Sequence, residues 1–271
     1  MHKLFLGKPQ FQVEKMQAQK TPYGGPVIYY RISFYQDDKK IELYFLSRHE
    51  CTGIYRLPHM LDHRLYMYTL MCVVGVDCIL ATSAVGAIGA PTTHYKQGDI
   101  TAPRFAVDYV GDPYTFATPM YTHPTAFHRP ATWLFCPHVQ KLLASSVGAV
   151  SNVILANSIK GPRFETLQEM DQRKRDKAYL VGMTTAFPEA ILAGEGAVPY
   201  GLLCGVANLA PASEDGREVG EVMAQMQEPI LNSILRVSQK ILEDGLAHPK
   251  NCPCRQGREE SVFSILGKPS F

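Results

Sequence analysis

Four short segments carry the polar groups best suited to chemistry: Arg48-His49, Thr82-Ser83-Ala84, Met183-Thr184 and Asn208. Each follows a strand-length run of apolar, β-branched or aromatic residues, so each is expected just past the end of a strand. An arginine fork, a hydroxyl beside backbone N–H groups and a second hydroxyl together suit a tetrahedral oxyanion such as phosphate. Taken singly, each has a commoner structural use. An Arg-His pair usually lies on the surface, Ser-Ala-Val-Gly usually turns the chain, and a strand-end Thr usually bonds backbone. The repeated placement carries the reading, because ligands of α/β proteins sit beyond the carboxyl ends of strands.

The elements that must position these groups are legible from periodicity. Val27–Phe34 and Lys40–Ser47 are rich in β-branched and aromatic residues and flank a charged Gln36–Lys40 turn, which predicts a hairpin. His59–Val74 is expected to be helical. Val76–Thr82 is a short apolar run expected to be a buried strand that ends in the small-residue loop Ser-Ala-Val-Gly. Val153–Ile159 then reads as a strand, followed by Lys160-Gly161-Pro162 and a polar helix over Glu165–Lys177. Tyr179–Thr184 and Pro199–Val206 are further strands, separated by a helix from Pro188 to Gly194 with its proline in the first turn. Apolar residues at Val219, Val222, Met223, Met226, Ile230, Ile234, Val237 and Ile241 predict an amphipathic helix over Glu218–Gly245. The pattern is that of an α/β protein whose sheet is closed by a long last helix.

The chain has 271 residues, enough to bury about 70–75% of its unfolded surface without disulfides or a metal. No repeat or Pro/Gly/Ser linker divides it, so one domain over 1–271 is expected, with 246–271 as a tail. Twenty-seven Lys and Arg against 25 Asp and Glu give a net charge of +2, which excludes a global basic field for nucleic-acid binding. The charged fraction of 19% is below the usual value of about 25%, which suggests surface covered by another subunit. Leu70–Pro91 is weakly charged, but it contains Asp77, glycines and hydroxyl residues and is expected to be core strand, so no membrane span is assigned. The apolar run at Leu4–Leu6 is too short for a signal peptide. Seven cysteines, mostly scattered through apolar stretches, read as buried reduced thiols of a cytoplasmic protein. Cys252-Pro253-Cys254 is the exception. The tail offers no further metal ligands, which leaves a local disulfide or free thiols. No Gly-x-Gly-x-x-Gly is present, so a dinucleotide-dependent dehydrogenase is not expected.

Seven segments resemble, in order, the trimeric class of purine nucleoside phosphorylases, including the methylthioadenosine and methylthioinosine phosphorylases. They are TPYGGP (21–26), YFLSRHE (44–50), ATSAVGAI (81–88), QGDI (97–100), GPRFET (161–166), VGMTT with PEA (181–190) and GVAN (205–208). The Cys-Pro-Cys tail also resembles a Cys-x-Cys of some members. The resemblance implies a single nucleoside phosphorylase-like domain, with a mixed, partly barrel-like sheet flanked by helices, in a homotrimer. It implies reversible phosphorolysis with inorganic phosphate as co-substrate and no cofactor or metal. By position, Arg48, His49, Ser83, Ala84 and Thr184 would hold phosphate. Met183 would pack beneath the sugar and Phe164 beside the base or sugar. Asn208 would bond the base near N7 and O6, and Glu165 would accept from N1–H.

The base pocket follows from donor and acceptor chemistry. Glu165 accepts and the Asn208 amide can donate, which suits a 6-oxopurine, whereas an aspartate at 208 would favour a 6-aminopurine. Val219 falls where inosine- and guanosine-cleaving relatives place a histidine for the 5′-hydroxyl. An apolar residue there suits a 5′-methylthio group, or is simply part of the core stripe. His128 resembles a histidine reaching the neighbouring subunit's 5′ site. The chain departs from the family in four places, one being a loop between Met183-Thr184 and Pro188-Glu189 that is one residue longer than usual. The expected Gly-rich phosphate loop is LFLGKPQF, with Gly7 alone and Pro9 lacking a donor, and residues 1–20 diverge throughout. Glu50 replaces the glycine after Arg-His. Asp62–Tyr66 replaces an Asn-Tyr-Arg-Ala-Asn helix start. These departures define an alternative, a catalytically impaired member that binds nucleoside or serves in assembly.

Overall fold

The computed structural model describes residues 5, 8–36, 38–89, 95–118, 128–149, 152–183, 187–210, 216–244, 252–255 and 261–263. Contacts group the chain into two compact units, Met1–Val76 and Asp77–Ser270, each with its own sheet.

The first unit holds an antiparallel sheet, β1 (Gln12–Ala18), β2 (Val27–Gln36) and β3 (Lys39–Phe45), in that spatial order. The predicted hairpin is present and tighter than expected. Gln36 pairs with Lys39, which leaves only Asp37-Asp38 as the turn. Asp38 takes φ 60°, a left-handed conformation that aspartate tolerates; Asp37 lies outside the described residues. Strand β1 occupies part of the divergent N-terminal stretch and pairs along its whole length with β2. The single helix expected over His59–Val74 is three pieces. A 3-10 turn spans Pro58–Met60, α1 spans His63–Tyr68 with Asp62 accepting from the Arg64 N–H, and a π-helical turn spans Thr69–Val74. It ends at Gly75, whose φ of 76° makes a left-handed stop.

The second unit is α/β. In chain order it contains β4 (Ile79–Ile88), β5 (Ile100–Thr101), β6 (Phe105–Asp108), α2 (Pro137–Ser146), β7 (Ile154–Ile159), α3 (Leu167–Arg175), β8 (Ala178–Met183), α4 (Phe187–Glu195), β9 (Tyr200–Ala210) and α5 (Gly216–Glu243). The sheet order is β5-β9-β4-β8-β7-β6. Strands β9 and β4 are parallel, β8, β7 and β6 are parallel, and the direction reverses between β4 and β8. The mixed sheet, flanking helices and long last helix match the expected fold class. The run expected to stop at Thr82 instead continues as strand to Ile88, so Ser83 and Ala84 lie within β4 and not in a loop. As far as residue 89, the Leu70–Pro91 stretch divides between the π turn and β4; the last two residues lie outside the described ones, and no helix among the described residues is long and apolar enough to cross a membrane.

Strand β9 is buried from Tyr200 to Asn208, so two helices must pack closely on it. Glycines make this possible. A Cβ on Gly201 would lie 2.5 Å from Val139 Cγ1 and 2.9 Å from Leu143 Cδ1, both on α2. A Cβ on Gly205 would lie 2.8 Å from Met226 Cε on α5. The Gln140 side chain of α2 also bonds the β9 backbone, accepting from the Leu202 N–H at 3.0 Å and donating to the Leu202 carbonyl at 2.8 Å. Gly201→Ala is expected to cost about 1–3 kcal/mol by overpacking. Gly220→Ala, on α5 where an added Cβ meets nothing within 4 Å, is expected to be neutral or stabilising by up to about 1 kcal/mol. Urea denaturation of both variants checks the opposite signs.

Candidate active site

Ser83, Ala84, Met183 and Asn208 lie on three neighbouring strands of the second unit's sheet, β9, β4 and β8. Strands β4 and β9 pair in register from Ile79–Tyr200 to Val85–Val206, then shift, so that Gly86 pairs with Asn208. Ala207 is the extra residue of this bulge. Because side chains alternate along a strand, one inserted residue re-aims Asn208, and bulges are common beside active sites. Gly86 leaves the room, since its Cβ would meet Asn208 Nδ2 and Oδ1 at 3.4 Å and Val181 Cγ2 at 3.1 Å. Asn208, expected just beyond its strand, thus lies within it and is 8% exposed. Its amide donates only a long 3.5 Å bond to the Leu209 carbonyl, and its oxygen has no partner among the described residues. That leaves most of the carboxamide for a ligand.

The backbone leading to Asn208 is held from its other edge. The Gly98 N–H donates to the Val206 carbonyl at 2.8 Å, the Val206 N–H donates to the Asp99 carbonyl at 2.8 Å, and Gln97 Nε2 donates to the Ala207 carbonyl at 3.0 Å. Gln97 is a positioning residue that site prediction missed, although its QGDI segment was part of the resemblance. Across the sheet, Ser83 is 3% exposed and its hydroxyl donates to the Ala84 carbonyl at 2.9 Å. Ala84 pairs with Gly205. The ladder between β4 and β8 consists of Gly86–Val181 and Ala87–Leu180, and the same register carried two residues further brings Ala84 level with Met183. Ser83, Ala84, Met183 and Asn208 therefore flank the place where the sheet reverses direction.

Met183 ends β8 opposite Ile159 of β7, and its Sδ lies 3.1 Å from where a Gly161 Cβ would be. Gly161 itself has φ 92°, so a side chain there meets both strain and a clash. The loop after it carries Phe164 and Glu165, both half-buried, and Glu165 has no hydrogen-bond partner among the described residues. The loop is pinned around them. Thr166 caps α3, accepting from the Glu169 N–H while the Glu169 carboxylate accepts from the Thr166 N–H, a capping box. Arg163 donates to both Glu169 oxygens, at 2.8 and 2.7 Å, and to the Phe164 carbonyl at 2.9 Å. Thr184 lies outside the described residues, as does Gly7.

In the first unit, Arg48 and His49 follow β3 as expected and are half-buried. His49 Nδ1 lies 2.7 Å from the Arg56 carbonyl and therefore carries the proton of that bond, and its ring stacks on Tyr55. Glu50 is exposed, and its carboxylate accepts from Ser47 Oγ at 3.4 Å within their own turn. Val219 lies on the first turn of α5, half-buried, and His128 is exposed.

A sequence profile described as the phosphorylase superfamily matches residues 17–238. The chain belongs to the phosphorylase superfamily. Within the superfamily it is 28% identical over 250 residues, 91% of this chain and 92% of the relative, to a probable S-methyl-5′-thioinosine phosphorylase of Methanopyrus kandleri. It is 31% identical over 251 residues, 88% of each chain, to a probable 6-oxopurine nucleoside phosphorylase of Thermococcus kodakarensis. Its fold is similar to that of a methylthioadenosine phosphorylase from an antarctic soil metagenomic library, with a TM-score of 0.73 at 18% identity over 95% of this chain and 93% of that one.

The Arg163 and Glu169 pair gives the loop a pH signature. Bonding from Arg163 first, then from the Thr166 N–H, lowers the Glu169 carboxyl from its ordinary 4.5 to about 2. A depressed folded-state value contributes stability that is complete above the unfolded pKa and is lost as pH falls through the folded one. Glu169→Gln is expected to destabilise the protein at pH 7, with the difference from wild type shrinking below about pH 4.5 and vanishing near pH 2. Denaturation curves across that range check it; a difference independent of pH would contradict the assignment.

Proposed function

We propose that this chain catalyses phosphate-dependent cleavage of the N-glycosidic bond of 6-oxopurine nucleosides, including 5′-methylthio nucleosides, to free base and pentose 1-phosphate. The observation that carries this reading is the Asn208 carboxamide. It is re-aimed by the bulge, faces glycine, and is mostly unspent on protein partners. In the proposed reaction a phosphate oxygen forms a bond to the anomeric carbon as the bond from that carbon to the purine breaks. The bonding pair leaves with the base. The Asn208 amide donates to the oxygen and imidazole side of the purine as negative charge accumulates there, which is electrostatic stabilisation by a preorganised donor. Glu165 accepts from N1–H on the opposite edge, and Phe164 beside it packs against the base.

Arg48, His49, Ser83, Ala84 and Thr184 are assigned to phosphate and Met183 to the underside of the ribose. For Ser83 this role needs its hydroxyl to rotate away from the Ala84 carbonyl, because an anion must be offered the proton. The Glu50 carboxylate accepts from Ser47 within its own turn. Val219 is assigned to the 5′ substituent, where an apolar side chain favours a methylthio group over a hydroxyl. We further propose a cytoplasmic homotrimer in which His128, exposed on one subunit, reaches the 5′ side of its neighbour's site.

Two substitutions separate chemistry from folding. Asn208→Ala is expected to lower turnover of inosine or methylthioinosine by about 10²–10³-fold, with an unfolding midpoint close to wild type. Asn208→Asp is expected to shift preference towards 6-aminopurine nucleosides, because an acceptor then faces the exocyclic amine. Base release is read by absorbance with phosphate, with arsenate and with neither. Release that needs neither anion would refute phosphorolysis. A folded protein stabilised by inosine yet releasing no hypoxanthine would favour the impaired binding member instead.

A further inference from the structure

Three cysteines distant in sequence meet in the second unit. Cys136 is the N-cap of α2, and Cys252 and Cys254 flank Pro253 at a 3-10 turn over Pro253–Arg255. The Cys136 and Cys252 sulfurs are 3.8 Å apart, those of Cys252 and Cys254 are 3.6 Å apart, and all three lie within 4.8 Å of one another. All three are buried and none is in a disulfide. Cys252 and Cys254 by themselves are only two thiols, but the fold brings a third, Cys136, from the start of a helix more than a hundred residues away.

We propose that Cys136, Cys252 and Cys254 form a three-thiolate site for a thiophilic divalent cation, Zn²⁺, that staples the C-terminal segment to the start of α2. The spacing fits. Zinc–sulfur bonds of about 2.3 Å at tetrahedral angles place sulfurs about 3.8 Å apart, whereas a disulfide needs about 2.05 Å. At Cys136 the surroundings suit a thiolate. Cys136 Sγ accepts from the Val139 N–H at 3.5 Å, and the N-terminus of the ten-residue α2 favours negative charge beside it. A cavity of about 10 Å³, room for about one water, is lined by Cys136 and Cys254 together with Leu134, Ala190, Pro199 and Tyr200. Binding balances as one divalent cation plus three thiols giving a trithiolate complex of charge −1, with three protons released to solvent. The staple also reaches β9, because the Cys136 N–H donates to the Tyr200 carbonyl at 2.8 Å.

The full chain is reduced with a phosphine, stripped with chelator and titrated with Co²⁺, then with Zn²⁺. One equivalent of Co²⁺ is expected to give thiolate-to-cobalt charge-transfer bands and the visible bands of tetrahedral cobalt, both abolished by one equivalent of Zn²⁺. Zn²⁺ is also expected to raise the thermal midpoint. Cys136→Ser and Cys254→Ser are each expected to weaken binding by about 100-fold or more, while Cys204→Ser, buried within β9, leaves it unchanged. Should those variants fail to fold, alkylation and peptide mapping of the wild type decide, with Zn²⁺ expected to protect Cys136, Cys252 and Cys254 selectively. Absence of the bands in reduced, folded protein overturns the proposal. So do bands that survive in the serine variants, alkylation that Zn²⁺ leaves unchanged, or a disulfide between Cys252 and Cys254 that re-forms and excludes the metal.

Discussion

Strand β9 is enclosed on every side, and the second unit is arranged to satisfy it. Its backbone pairs with β4 on one edge and with β5 and the Gln97–Asp99 loop on the other, while α2 and α5 pack against it at Gly201 and Gly205. Buried backbone groups must be paired, because an unsatisfied one costs about 1–3 kcal/mol. Where regular pairing stops short at Leu202, the Gln140 carboxamide supplies both a donor and an acceptor. Such a strand cannot slide or tilt without breaking several of these contacts together. Asn208, at its last buried position before the 53%-exposed Leu209, therefore has a fixed place from which to meet a ligand. In electrostatic catalysis that fixity matters more than the strength of any one bond, since a donor already in place needs no reorganisation as charge develops.

The loop carrying Phe164 and Glu165 is made rigid by a different device. Its residues are half-buried or exposed, so local polar bonds supplement packing. The capping box orients the first turn of α3, and Arg163 holds Glu169 through a two-pronged contact while bonding the Phe164 carbonyl. All the strong acceptors of Glu169 are thereby consumed by structure, and Glu165, three residues after Gly-Pro, keeps its carboxylate for a ligand. The two acidic residues differ in what already bonds them: Glu169 is held by Arg163 and the Thr166 N–H, while Glu165 has no hydrogen-bond partner among the described residues.

The legible parts of the sequence were those with a strong period. The apolar stripe of α5, the polar α3 with its Thr166 cap and the runs of β7, β8 and β9 all appear within a few residues of their expected limits. Ser83-Ala84-Val85-Gly86 misled because small residues resemble a turn when read alone. They are strand here because small side chains are what a strand packed between β8 and β9 can accommodate, with Gly86 clearing space for Asn208. The break of the His59–Val74 helix was hidden because its apolar residues keep a helical spacing through the π turn. Strand β1 was hidden because its residues are mostly polar and partly exposed, so its pairing with β2 defines it more than its composition does. The thiol cluster could not be seen at all, since nothing local links Cys136 to a tail 116 residues away. The donor and acceptor groups of Asn208 and Glu165 are legible as residue types, while the bulge that re-aims Asn208 belongs to two strands at once and to neither sequence alone.

The departures from the family pattern weigh differently once local geometry is known. Glu50 after Arg48-His49 puts a carboxylate in a turn expected to serve an anion, and like charges in a desolvated pocket would be strongly unfavourable. The carboxylate is instead exposed and turned back to Ser47, so water and salt screen it within about 8 Å at physiological ionic strength. His49, by contrast, is constrained: its Nδ1 donates to the Arg56 carbonyl and its ring stacks on Tyr55. Ser83 is the other cost, because its proton already has an acceptor in Ala84. An anion bound by Ser83 must compensate for that lost bond, about 0.5–1.5 kcal/mol net for a neutral pair, whereas a charge-assisted bond to phosphate returns roughly twice as much. The exchange is favourable only when the anion is present, so the resting geometry of Ser83 is compatible with a phosphate site that forms its last contacts on binding.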